Sequence, residues 1–143
     1  MQKELIILPI ILMVLLTIFV WGRMIWVRLS AMKSINIDPQ EMKSQKAKQL
    51  FPEEINVPAE NFVNLFEIPI IFYLLSTLLL MTDSVSLFYL VASFIYVVLR
   101  YVHSFIALTY NKVVHRFKAY LLSCLVVFIM WGKFSYDLLL SFG

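Results

Sequence analysis

Residues 5–27 read LIILPIILMVLLTIFVWGRMIWV, an apolar run broken by a single charged side chain, Arg23. A bilayer core roughly 30 Å thick is crossed by about 20 apolar residues in a helix, so this run is long enough to span. A cleaved signal peptide is the competing reading, because Lys3 precedes the run. The run is longer than a typical h-region, however, and it closes on Trp21-Gly22-Arg23 with no small-x-small cleavage site. Three further runs meet the same test, at about 61–81, 84–110 and 117–140. The expectation is an all-α, integral membrane four-helix bundle occupying residues 1–143 as a single four-span domain.

Composition agrees. The chain is 62% hydrophobic and 15% charged, whereas a soluble domain is about 45–50% apolar and about 25% charged. The formal net charge of +3 is too small, and its carriers too close to apolar spans, to indicate nucleic acid. Cys124 is the single cysteine, so an intrachain disulfide is impossible, and its apolar surroundings mark it as a packing residue. Two histidines in different settings, without an HxxxH or CxxC pattern, predict no metal site. No nucleotide-binding glycine loop is present.

The connections are unequal. Thr82-Asp83 joins spans two and three as a tight hairpin, and residues 111–116 join spans three and four. The loop of about residues 29–60 is the one segment with room for structure outside the membrane. Asp38-Pro39 there suggests the start of a short surface helix, and Pro52 and Pro58 suggest an extended return into span two. Pro9 and Pro69 are expected to bend spans one and two. Basic residues, including Arg23, Arg28, Lys33, Lys43, Lys46, Lys48, Lys112, Arg116 and Lys118, gather at the end bearing the two longer connections. The positive-inside rule then places that end in the cytoplasm and both termini on the other side.

Polar groups inside the spans carry the functional information, because a charge at mid-bilayer costs at least about 2.5–3.5 kcal/mol and is retained only with partners. Span two opens with Asn61, Asn64 and Glu67, three residues apart and on a broad common face. Arg100 and His103 share a face of span three, and Arg116 and Tyr120 occupy the first turns of span four. Topology brings all of these to one layer near the loop end. One reading is a buried Glu67–Arg100 salt bridge holding the bundle in register. The other is an anion-binding pocket open to the cytoplasm, since cations outnumber the acid.

The stretch Asn61-Phe-Val-Asn-Leu-Phe-Glu-Ile-Pro69, then Arg100-Tyr-Val-His-Ser104, then Asn111, Arg116 and Tyr120, resembles the MAPEG family (membrane-associated proteins in eicosanoid and glutathione metabolism), in its bacterial branch. The resemblance implies a homotrimer in a bacterial inner membrane. It also implies glutathione as cofactor, held between subunits near the cytoplasmic end, and attack of its thiol on an apolar, membrane-dissolved electrophile or peroxide. By position, Asn64 and Glu67 match the family's Asn-x-x-Glu, and Arg100 and His103 its Arg-x-x-His. Arg116 matches the arginine that contacts the thiol and is the catalytic candidate, with Tyr120 one turn on. The other five are cofactor-binding candidates. Two features depart from eukaryotic members. Glu60-Asn61-Phe62-Val63-Asn64 lacks the arginines of their Glu-Arg-Val-x-Arg-Ala-type run, and Phe105-Ile106-Ala107 lacks their tyrosine. Arg23, Arg28 and Lys48 are the cations available to substitute. The alternative function on the same scaffold is a non-enzymatic membrane protein binding lipid or a small anion.

Overall fold

The computed structural model describes residues 3–35 and 52–141, so the surface helix expected from Asp38-Pro39 lies outside the described residues. A 3₁₀ turn at Lys3–Ile6 leads into α1 (Ile7–Ile35), followed by α2 (Glu53–Asn64), α3 (Ile68–Met81), α4 (Leu87–Leu108) and α5 (Val113–Ser141). Among the described residues, four stretches are long and apolar enough to cross a membrane: Lys3–Ser34, Glu54–Met81, Leu87–Leu108 and Val113–Ser141. The helices α2 and α3 are thus two halves of one span. The protein is a helical membrane bundle. Its outer surface agrees: Leu15, Phe19, Leu74, Val98, Phe105, Leu122 and Phe128 are all exposed, a pattern suited to lipid or another helix rather than water.

Prolines behave according to position. Pro9 falls in the first turn of α1, where its missing N–H would have had no intrahelical acceptor, and the helix continues unbroken. Pro52 and Pro58 do not give the expected extended return. Pro52 caps α2, its carbonyl accepting from the Ile55 N–H at 3.0 Å, and Pro58 lies inside the helix. Pro58 forfeits one backbone bond, but α2 buries Val57, Ala59 and Asn61 where it packs on α1 and α4, and this burial outweighs the loss. Pro69, by contrast, does break its span, at Leu65–Glu67.

The turns use residues that tolerate a left-handed backbone. Asp83 (φ 60°) closes the hairpin between α3 and α4, and Asn111 (φ 45°) sits between α4 and α5. In the core, Phe72 of α3 stacks on Tyr96 of α4 with ring centroids 4.5 Å apart. The Trp131 indole donates to the Ile71 carbonyl at 3.1 Å, tying α5 to α3. Trp131→Phe keeps an aromatic ring and removes that bond. The expected cost is about 0.6–1.5 kcal/mol, read as a small drop in the unfolding midpoint in mild detergent.

The end opposite the loop carries contacts that spacing alone does not disclose. Lys3 pairs with Asp83. Asp137 accepts from Lys133 at 2.7 Å and from the Tyr89 hydroxyl at 3.3 Å. The i,i+4 spacing of Lys133 and Asp137 is a readable signal. Tyr89, which joins α4 to the pair, leaves none.

Candidate functional site

The site is built around the break in the second span. Pro69 removes the donor that the Leu65 carbonyl would have used, and here the chain passes from α2 to α3 through a turn in which Leu65 and Phe66 donate to the carbonyls of Phe62 and Val63. The Asn64 carbonyl is left without its usual helical donor. Arg100 supplies one: its Nη2 donates to that carbonyl at 2.7 Å. The guanidinium therefore caps the negative end of α2, while Glu67 stands at the positive end of α3, each charge matching its helix dipole. Arg100 is completely buried.

The Glu67–Arg100 salt bridge is not formed. Glu67 is exposed, and the ion pairs among the described residues are Lys3–Asp83 and Lys133–Asp137. The turn swings Glu67 out of the line that an unbroken helix would have given it. Arg100 keeps Nε and Nη1 buried without hydrogen-bond partners, so a guanidinium sits in the bundle with no carboxylate of the described residues against it.

His103, one turn further along α4, is buried. Its Nδ1 lies 3.0 Å from the Arg116 carbonyl. A carbonyl only accepts, so Nδ1 carries the proton, and in the neutral ring Nε2 carries the lone pair. That Nε2 is buried and unpartnered. The imidazole thus fastens α4 to the first turn of α5 and keeps an acceptor in reserve. Arg116 is half-buried and is aimed by the preceding turn, its Nη1 donating to Asn111 Oδ1 at 2.9 Å. Tyr120 lies one turn on, with its ring 5.9 Å from His103 and 5.8 Å from the Arg100 guanidinium. Ser104 donates to Asn61 at 3.3 Å, which fixes α2 to α4 in the same layer.

Five of the six candidates therefore meet. Asn64, His103, Arg116 and Tyr120 line a shallow hollow of about 190 Å³ together with Val113 and Phe117, and Arg100 lies directly behind it. Glu67 stays at the rim. A neighbouring hollow of about 340 Å³ is walled by Arg28, Asn56, Ala59, Glu60, Val63 and Asn64. Asn64 is common to both, so Arg28 approaches the layer from α1. The Nε of Arg28 is buried and has no hydrogen-bond partner among the described residues. No periodic signal links Arg28 to the layer, since the packing of α1 on α2 sets that approach.

Chemically, the layer offers cations and neutral donors with little acid, in a setting that is partly dry and partly open. It suits a carboxylate or a developing thiolate. Typical small-molecule sites run to about 300–1,000 Å³, so the smaller hollow alone is only part of a site. In comparison with known proteins, residues 6–136 match the model of the MAPEG family. No curated protein and no solved structure matches.

Proposed function

Since the chain belongs to the MAPEG family, whose members are associated with glutathione in general, we propose that it is a glutathione- or thiol-dependent transferase or peroxidase acting on apolar electrophiles dissolved in the membrane. The observation that carries this reading is the hollow at which Asn64, His103, Arg116 and Tyr120 converge. Arg116 is the thiol-activating residue: it is held by Asn111 yet only half-buried, so its remaining donors are free for a ligand. Asn64, Glu67, His103 and Tyr120 bind the cofactor. Arg100 acts on the ligand through the α2 carbonyl it caps and through its charge. Arg28 supplies, from α1, the cation that the start of the second span lacks.

One chain provides too little wall for a tripeptide, and we place the complete site between subunits of a homotrimer. The remaining wall comes from the exposed apolar faces of a second copy. The basic loop end faces the cytoplasm of a bacterial cell and both termini lie across the inner membrane. The electrophile enters laterally from the bilayer.

Glutathione that binds only the folded protein stabilises it by about 2.7 kcal/mol at a concentration a hundred times its dissociation constant. Millimolar glutathione is therefore expected to raise the melting temperature of the detergent-solubilised protein by several degrees, and S-methylglutathione to do the same. No shift at millimolar concentration would sink the reading in favour of a non-enzymatic anion- or lipid-binding protein.

A further inference from the structure

A second arrangement lies between α1 and α4 and shares no lining residue with the Arg116 hollow. Leu15, Leu16, Phe19, Tyr101, Phe105 and Leu108 form a groove of about 460 Å³ that is apolar over nearly all its length. Leu15 to Arg23 on α1 covers about 12 Å at 1.5 Å per residue, and Tyr101 to Thr109 runs alongside in the same direction. The groove thus extends from mid-span to the loop end. Arg23 stands at its mouth, with its guanidinium 4.7 Å over the Trp26 ring and Nη1 buried without a hydrogen-bond partner among the described residues.

At that mouth the groove passes into a second, more polar hollow of about 320 Å³. Arg23, Leu108 and Thr109 line both, and the hollow adds Glu54 of α2 and Asn111. Among the described residues neither Arg23 nor Glu54 has an ion-pair partner. Among the described residues, an apolar channel thereby ends in one unpaired cation and one unpaired carboxylate, across a hollow to which Thr109 adds a hydroxyl and Asn111 an amide. The complementary molecule has an apolar chain, then an anion, then a cation. We infer that the α1–α4 groove binds one phospholipid with a primary-amine headgroup, phosphatidylethanolamine. An acyl chain lies along Leu15–Phe19 and Phe105, the phosphate meets Arg23, and the ammonium meets Glu54. Arginine suits the phosphate because its fork donates two parallel bonds. An anionic headgroup without the amine, such as phosphatidylglycerol, would satisfy Arg23 but bring no cation to Glu54.

The test uses the full-length protein, delipidated in mild detergent and supplied with dioleoylphosphatidylethanolamine or dioleoylphosphatidylglycerol, with retained lipid counted by native mass spectrometry. One phosphatidylethanolamine per chain is expected, at least tenfold preferred over phosphatidylglycerol. E54Q, at an exposed position, should erase that preference while lipid is still retained. R23A should lose both lipids, and Leu15→Trp should block the chain without touching the headgroup hollow. Equal retention of the two lipids by the parent protein, or retention indifferent to R23A, would overturn the assignment. So would displacement of the lipid by glutathione, or a disulfide crosslink from cysteines placed at Leu15 and Phe105 that joins two copies. The readout is lipid, not conjugation, so its failure leaves the reading of the Arg116 site untouched.

Discussion

Arg116→Ala is expected to lower the rate of glutathione conjugation to a small aromatic electrophile by about 10²–10³-fold, the size of effect seen when one donor aimed at developing charge is removed. The nucleophile is the thiolate, and an unperturbed thiol has a pKa near 8.5 that a neighbouring cation depresses. On the proposed function, a guanidinium in the Asn64–His103–Arg116–Tyr120 hollow would therefore raise the thiolate fraction of a glutathione bound there at neutral pH. The pH–rate profile separates this role from simple binding. Without the cation the alkaline rise should move up, towards the ordinary thiol range, so the deficit shrinks as pH increases. Arg116→Lys should recover part of the rate but not all, because a lysine cannot both bond Asn111 as the guanidinium does at 2.9 Å and present a second donor in the same plane. A variant with normal rate and profile would exclude Arg116 from the chemistry. His103 is not expected to show this pattern: its Nδ1 is committed to the Arg116 carbonyl, so its loss should loosen α5 and weaken binding more than turnover.

Much of this site is legible in the amino-acid sequence, for a physical reason. Period and depth are sequence quantities: Asn61, Asn64, Arg100, His103, Arg116 and Tyr120 fall at one level because helices rise uniformly and the three spans alternate in direction. Direction off the axis is different. The spacing puts Glu67 on the same face as Asn64, which holds only while the helix is intact. Pro69 breaks it, and the carboxylate turns out to the rim while Arg100 takes a backbone carbonyl instead. The same residue type misleads in the opposite sense at Pro58, where burial of Val57, Ala59 and Asn61 keeps the helix going through a lost hydrogen bond. Tertiary packing decides both cases, and the local pattern around each proline does not encode it. The approach of Arg28 and Arg23 from α1 is also hidden, since it depends on how α1 leans on α2 and α4.

The largest stability contrast is expected at Arg100, between two replacements at the same position. Arg100 makes a charge-assisted bond to the Asn64 carbonyl at 2.7 Å, a type of contact that contributes about 1.5–3 kcal/mol. Against this stand complete burial and two unpartnered nitrogens, and effective desolvation penalties in proteins amount to several kcal/mol per ion. The two sides nearly cancel, so a well-packed apolar residue of similar length should do no harm to the fold. Arg100→Met is expected to unfold within about 1–2 kcal/mol of the parent, or to be more stable. Arg100→Ala leaves a cavity as well, and should fall below Arg100→Met by about 2–5 kcal/mol. Glutathione stabilisation should vanish in both variants. With Met, the carbonyl end of α2 loses its cap, Asn64 is no longer pinned at the hollow, and the cation behind the site is gone. A folded, stable Arg100→Met protein that no longer responds to glutathione would mark this buried charge as kept for the site rather than for the bundle. If Arg100→Met is instead destabilised as much as Arg100→Ala, the guanidinium is the structural clamp of the broken span, and the hollow beside it is a consequence of that clamp.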